Sequence, residues 1–232
     1  MNASASPSPH YRPGVQQRGE DTRRRILETA IEIFARDGYE GASTRVLAQQ
    51  AGINLPAIQY YFGSKEGLYR AAIEHIVSEM RACMGTAAAN AREALARGDV
   101  APNELISLLH DMLASLITLM VGGQHAESRK RFIGRGELEG SEALDMLHKA
   151  MMGETVGPCA ALIARLLGRD EVDEAVMLRT VLVLGQVTIF CNKGARCALE
   201  WNDIGEERVS AVKALVREQT DAIIRVAMEK GA

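Results

Sequence analysis

Aromatic side chains are scarce in this chain: tyrosine, phenylalanine and tryptophan together make up 4% of its 232 residues. Sheets draw on aromatic and β-branched residues, so this shortage, beside an abundance of Ala, Leu, Met, Arg and Glu, favours helices. Cysteine is sparse too. Cys83, Cys159, Cys191 and Cys197 are far apart except for the last pair, and none forms a two-residue-spaced metal or redox motif; the usage fits a reducing compartment. No basic segment followed by an apolar run opens the chain, and its longest apolar run, around Leu178 to Cys191, is broken by Arg179 and Gln186. A soluble, cytoplasmic protein with no membrane partner is expected.

No charge dominates either. A formal net charge of -3 argues against attraction of the whole surface to nucleic acid. The positive charge is local: Arg12, Arg18, Arg23, Arg24 and Arg25 stand against Glu20 and Asp21. Such a run is either a DNA footprint or a solvated helix face. Catalytic patterns are missing as well. His75, His110, His125 and His148 are isolated, no Glu-x-x-His, His-Glu-x-x-His or serine elbow occurs, and neither His110-Asp111 nor the neighbours of Cys159 make a nucleophile with a base and an orienting group. No enzyme, metal or cofactor is expected.

What is present is a series of helical patterns. Residues 1–19 carry Ser, Pro and Gly without an apolar period and read as a flexible arm. A first helix, capped by Asp21 or Thr22, has Ile26, Ala30, Ile33 and Phe34 on its apolar face and stops near Gly38. Ser43 is placed to cap a second helix with Val46, Leu47 and Ala51 inward, and Gly52 suits a strained corner. Asn54 then caps a third helix that tolerates Pro56 in its first turn, with Ile58, Tyr61 and Phe62 buried and Leu55, Ala57, Gln59 and Tyr60 outward. Ser64 caps a fourth helix carrying Leu68, Ala72, Ile76 and Met80. Two short helices about a tight corner are the geometry of a helix-turn-helix reader of duplex DNA.

Beyond Ser78 every segment reads helical, apart from breaks at Gly98 to Pro102 and Gly122-Gly123 and an irregular stretch over 124–140. Pro158 should kink or divide the pattern from Ser141 to Leu166 unless neighbouring groups absorb its missing hydrogen bond. Two long helices follow, Glu171 to Cys191 and Ile204 to Met228. The expected architecture is all-α, with an N-terminal three-helix helix-turn-helix domain over residues 20–67 and a larger helical ligand-binding and dimerisation domain over 68–232.

Thr44 and Arg45, beside the positive end of the second helix, suit phosphate and base-edge contacts. Gln59 is matched to an adenine edge, Tyr60 and Lys65 to phosphates, and Arg23 and Arg24 to backbone or minor groove. Each also has a plainer reading as a solvated or core side chain. The composite is more specific. Arg23 to Tyr69 resembles the N-terminal domain of the TetR family of bacterial transcriptional regulators, through Ala30-Ile31-Glu32-Ile33-Phe34-Ala35-Arg36-Asp37-Gly38-Tyr39, Ser43-Thr44-Arg45-Val46-Leu47-Ala48, Ala51-Gly52-Ile53-Asn54 and Ile58-Gln59-Tyr60-Tyr61-Phe62-Gly63-Ser64-Lys65-Glu66-Gly67-Leu68. The resemblance implies that Thr44, Arg45, Leu55, Ala57, Tyr60 and Lys65 lie at or near DNA. Gln59, Pro56 and Ala57 depart from the residues common there, which bears on the operator letters. The resemblance further implies a homodimer on a palindromic double-stranded operator, usually repressing, and released by a small-molecule effector. A helical dimerisation or small-molecule-binding module without sequence-specific DNA binding is the alternative.

For the effector, Met112, Leu116, Met120, Phe132, Met151, Thr155, Cys159 and Phe190 are candidates to line an adaptable apolar cavity, or are ordinary core. For the dimer, the last two long helices carry apolar stripes that include Val181, Leu182, Gly185 and Ile189, and Val212, Leu215 and Val216. In the resembled family these helices form an intersubunit bundle.

Overall fold

The structure is a computed structural model that describes residues 13–121, 125–201 and 204–229. The chain divides into two compact units, one ending at Ala72 and the other beginning at Ile73. Every regular element among the described residues is helical.

The first unit contains α1 (Pro13–Gly41), α2 (Thr44–Gln50), α3 (Leu55–Phe62) and the start of α4 (Lys65–Arg97). Helix α1 begins earlier than the sequence indicated: residues 13–19, expected in the flexible arm, are helical, and the hydroxyl of Thr22 bonds back to the Arg18 carbonyl at 2.8 Å instead of capping a start. Residues 1–12 of that arm, Arg12 among them, lie outside the described residues, as do Gly122 and Gly123. At the other end α1 leaves helical geometry at Gly38. Its inward face, Ile26, Leu27, Ala30, Ile31, Ile33 and Phe34, is buried with Leu47, Ile58, Leu68 and Tyr69. The ring of Phe34 meets Tyr69 edge-on at 5.0 Å and stacks with Tyr39 at 6.2 Å.

The second unit runs through the rest of α4 and through α5 (Pro102–Val121), α6 (Ala126–Leu138), α7 (Asp145–Met151), α8 (Gly157–Leu166), α9 (Glu174–Thr188), α10 (Lys193–Ala198) and α11 (Glu206–Glu229). Helix α5 is its centre and packs against α8, α9 and α11. By length and composition, α5 and the run Glu174–Cys191 each match a membrane span, with mean hydropathy 1.6; in this fold α5 turns Leu105, Leu109, Met112, Leu113, Leu116 and Ile117 into the protein core.

Helix α6 corrects the irregular reading of 124–140. Its apolar content is too low to show a period, since only Phe132 and Gly136 are buried. Charge contacts hold it instead: Glu127 with Arg131 at 3.0 Å, Arg135 with Glu139 at 3.1 Å, and Arg129 with Glu79 of α4 at 2.9 Å. Helix α10, unmarked in the sequence, is capped by Asn192, whose side chain accepts from the Gly194 N–H.

The run that holds Pro158 is divided, as the sequence indicated, and the proline stands in the first turn of α8. Between α7 and α8 the chain makes one π turn, Met152–Val156, in which the Gly157 N–H reaches the Met152 carbonyl. In that register the next acceptor, the Gly153 carbonyl, faces residue 158, where proline has no N–H to give. Arg92 of α4 supplies the donor, with Nη2 2.6 Å from the Gly153 oxygen and 2.9 Å from the Glu154 carboxylate. Arg92→Ala should therefore cost about 1–2 kcal/mol, more than a half-exposed arginine usually contributes. In a Pro158→Ala background, where residue 158 regains its N–H, the same change should cost less than about 0.5 kcal/mol. Urea denaturation of the four variants measures both costs, and equal costs would reject the substitution of one donor for the other.

Candidate nucleic-acid interface

The corner between α2 and α3 is closed by backbone hydrogen bonds. The Ile53 N–H reaches the Ala48 carbonyl at 3.0 Å and the Gly52 N–H reaches Gln49 at 3.2 Å, an arrangement that needs a left-handed residue between them. Gly52, at φ 65°, is that residue. Asn54 starts α3 as expected, its side chain accepting from the Ala57 N–H at 3.0 Å. Ser43 occupies the cap position of α2, but its hydroxyl makes no cap bond, contrary to the sequence reading.

A second corner follows α3. The Ser64 hydroxyl accepts from the Gly67 N–H at 3.0 Å, as its position indicated. The sequence did not flag what Gly67 itself does: a Cβ there would lie 2.0 Å from the Phe62 carbonyl oxygen, so only glycine lets α4 start this close to the end of α3.

These corners fix which side chains point outward. Tyr60 is 84% exposed, and Leu55 and Gln59 are also exposed, while Ala57 is half-buried. Inward, Ile58 is buried, but Tyr61 and Phe62 are only half-buried; the Tyr61 ring meets Tyr60 edge-on at 5.2 Å and lies tilted against Phe62 at 6.1 Å. At the head of α2, Arg45 is exposed and Thr44 half-buried; Val46, expected inward, is half-buried too.

The remaining cations are partly engaged within the unit. Lys65 donates to the Glu40 carbonyl at 3.2 Å and lies 4.6 Å over the Tyr39 ring, so it also ties the start of α4 to the end of α1. Arg23 stands 5.6 Å over the Phe62 ring. Arg24 pairs with Asp21 at 3.2 Å and Glu28 at 4.0 Å, which offsets its charge locally.

In the second unit the eight candidate cavity residues separate. Met112, Leu116, Phe132, Thr155 and Cys159 are buried, and burial pushes the Cys159 thiol up to about 12. Met120 is half-buried, and Phe190 is half-buried and stacks on Trp201 at 6.2 Å. Met151 is 41% exposed and does not face the same interior. The spacing Met151, Thr155, Cys159 would align on an unbroken α-helix; the π turn adds a residue and rotates Met151 outward.

The two stripes separate as well. Val181 and Leu182 of α9 are exposed beside half-buried Gly185, opposite the buried face formed by Val176, Thr180, Val183 and Val187, and Ile189, exposed too, follows in the 3-10 turn Ile189–Cys191. On α11, Leu215 is exposed, but Val212 and Val216 are each 2% exposed and belong to the core of their own unit, a correction to their placement on an outward face. The exposed apolar positions beside Leu215 are Ile223 and Val226. Counting hydrophobic residues at helical spacing does not separate two adjacent apolar arcs on one helix.

Two family models match the chain. Residues 26–72 match that of the bacterial regulatory proteins of the tetR family, and residues 105–226 match the C-terminal domain of the HTH-type transcriptional dual regulator CecR. The CecR dual regulator of Shigella flexneri is 26% identical over 92% of this chain and 96% of its own length. The NicS repressor of Pseudomonas putida is 35% identical over 41% of this chain and 43% of its own. Among solved structures, the TetR family regulator PfmR of Thermus thermophilus shares the fold at a TM-score of 0.56 and 22% identity, covering 87% of this chain and 97% of that one. Together with the helix-turn-helix geometry, these matches place the chain among transcriptional regulators rather than enzymes. It belongs to the TetR family of bacterial transcriptional regulators, with a C-terminal domain of the CecR type.

Proposed function

We propose that the chain is a homodimeric, cytoplasmic repressor that binds a palindromic operator in double-stranded DNA and leaves it when a small apolar or amphipathic molecule binds its C-terminal part. Residues 20–67 are the reading head and 68–232 the effector-binding and dimerisation part. The observation that carries this reading is the outward face of α3, where Leu55, Gln59 and Tyr60 stand exposed on a short helix held by two rigid corners. A helix presented in this way enters a major groove, with Gln59 reading an adenine edge and Ala57 and Leu55 packing on bases or sugars. The first turn of α2, uncapped by Ser43, offers N–H groups to a phosphate beside Thr44 and Arg45. Tyr60, Lys65, Arg23 and Arg24 add backbone contacts. Met112, Leu116, Met120, Phe132, Thr155, Cys159 and Phe190 are the effector's surroundings.

Selection of bound duplexes from a random pool tests the reading directly. A palindromic consensus whose affinity falls steeply with salt is expected. Gln59→Ala should change the preferred letter at one symmetric pair of positions, with a loss of about tenfold or more on the original operator, the range of one bidentate base contact. A folded chain that enriches no sequence would sink the proposal; an unchanged consensus for the Gln59 variant would remove its reading role.

A further inference from the structure

Between α9 and α11 lies an open groove of about 450 Å³ lined by Arg179, Ala222, Ile223, Val226 and Ala227. It is apolar except for one guanidinium. The hydrogen bond that half-buried Arg179 makes among the described residues is from Nη1 to the Ala175 carbonyl of its own helix at 3.1 Å, and it joins no ion pair there, so its five donors have no acid to pair with. The groove adjoins the exposed stripe of α9 and shares Ile223 and Val226 with that of α11. A second copy seated on these stripes displaces the water over the groove, and a guanidinium buried that way is strongly unfavourable without a carboxylate. The covering surface must bring one.

Helix α11 carries a suitable acid within its own stripe. Glu218 is exposed, one turn after Leu215 and one turn before Ala222, and it too joins no ion pair among the described residues. Glu174 begins α9 and Glu229 ends α11, one turn beyond Val226, so both lie outside the stretch Leu215–Val226. A two-fold interface is self-complementary, so a residue on one copy meets its counterpart contact on the other. Two α11 helices packed antiparallel about the middle of Leu215–Val226 bring residue 218 of one opposite residue 223 of the other, at the mouth of the groove.

We infer that Arg179 of each copy receives Glu218 of the other, an ion pair made twice per dimer that fixes the register of an otherwise apolar interface. This inference rests on the homodimer reading and adds its charge pairing. The pair accounts for one cation set among apolar walls and rejects apolar partners that bring no matching acid.

The test mixes two charge-reversed chains. Arg179→Glu alone places two like-charged pairs in its homodimer, and so does Glu218→Arg alone, whereas a heterodimer of the two restores both opposite-charge pairs. Native mass spectrometry of an equimolar mixture, one chain carrying a mass tag, should show about nine-tenths heterodimer. Sedimentation should show each variant alone dimerising about tenfold or more weakly than the unaltered chain. A statistical 1:2:1 mixture from variants that still dimerise would overturn the pairing while leaving the homodimer standing. An unaltered chain that sediments as a monomer at tens of micromolar would overturn the homodimer reading, and the pairing with it. Because each variant also serves as the other's partner, a heterodimer excess cannot come from misfolding.

Discussion

Phe34→Ala should abolish operator binding by unfolding the reading head. Phe34 is 1% exposed on α1, edge-on to buried Tyr69 at 5.0 Å and stacked with half-buried Tyr39 at 6.2 Å. Truncating a buried phenylalanine costs about 3–5 kcal/mol, and breaking favourable ring pairs adds about 0.5–1.5 kcal/mol. A unit of this size holds on the order of 4–10 kcal/mol in total, so the loss approaches the whole. Hydrogen exchange on the full chain should show α1, α2 and α3 losing protection. Phe34→Leu, which keeps most of the volume, should cost under about 1.5 kcal/mol and retain binding. A Phe34→Ala chain that keeps its protection pattern and operator affinity would show that the aromatic cluster does not carry the head.

The head was legible because local rules agree there. Asn54 and Ser64 cap helices through side-chain bonds, and Gly52 takes the left-handed corner, all at positions marked by residue type. Where several local signals point to one geometry, a single sequence is enough to locate it. Gly67 escaped notice because its constraint is a close approach to the Phe62 carbonyl, a contact between residues that only the folded corner brings together.

The larger unit was legible as helices but not as faces. Helix α6 lacked an apolar period because ion pairs to α4 and within itself hold it in place, and such pairs are invisible to hydrophobic spacing. The π turn at Met152–Val156 shows a second limit. One added residue turns everything before it, so Met151 leaves the face that its spacing to Thr155 and Cys159 implied. The signal was present in Pro158, read as a kink or a division; its answer lay in Arg92, far away in sequence. Val212 and Val216 mark a third limit, since α11 buries one apolar arc within its own unit and leaves the neighbouring arc, with Leu215, Ile223 and Val226, to solvent.

The exposed stripe of α9 leads to the other large effect. If the chain is the homodimer proposed above, Leu182→Glu should leave the monomer's fold intact and destroy the dimer. Leu182 is 70% exposed in the middle of the α9 stripe, so the single chain loses almost no packing when it is replaced, and its unfolding midpoint at concentrations where it is monomeric should not move. At a two-fold interface the same change buries two unpaired carboxylates against apolar neighbours, which costs about 3–5 kcal/mol and weakens dimerisation by more than about 100-fold. Operator affinity should fall further than any single contact explains. Two linked heads bind two half-sites with an advantage of about 10²–10⁴-fold over one, and a monomer forfeits all of it although every residue of its reading head is unchanged. Leu182→Met, which keeps volume and apolarity, should restore both dimer and affinity to near the starting values. Sedimentation and operator titration of the two variants separate the causes: a Leu182→Glu chain that stays dimeric with full operator affinity would move the dimer surface away from α9, whereas a monomer with an intact fold and weak binding would tie DNA recognition to that stripe.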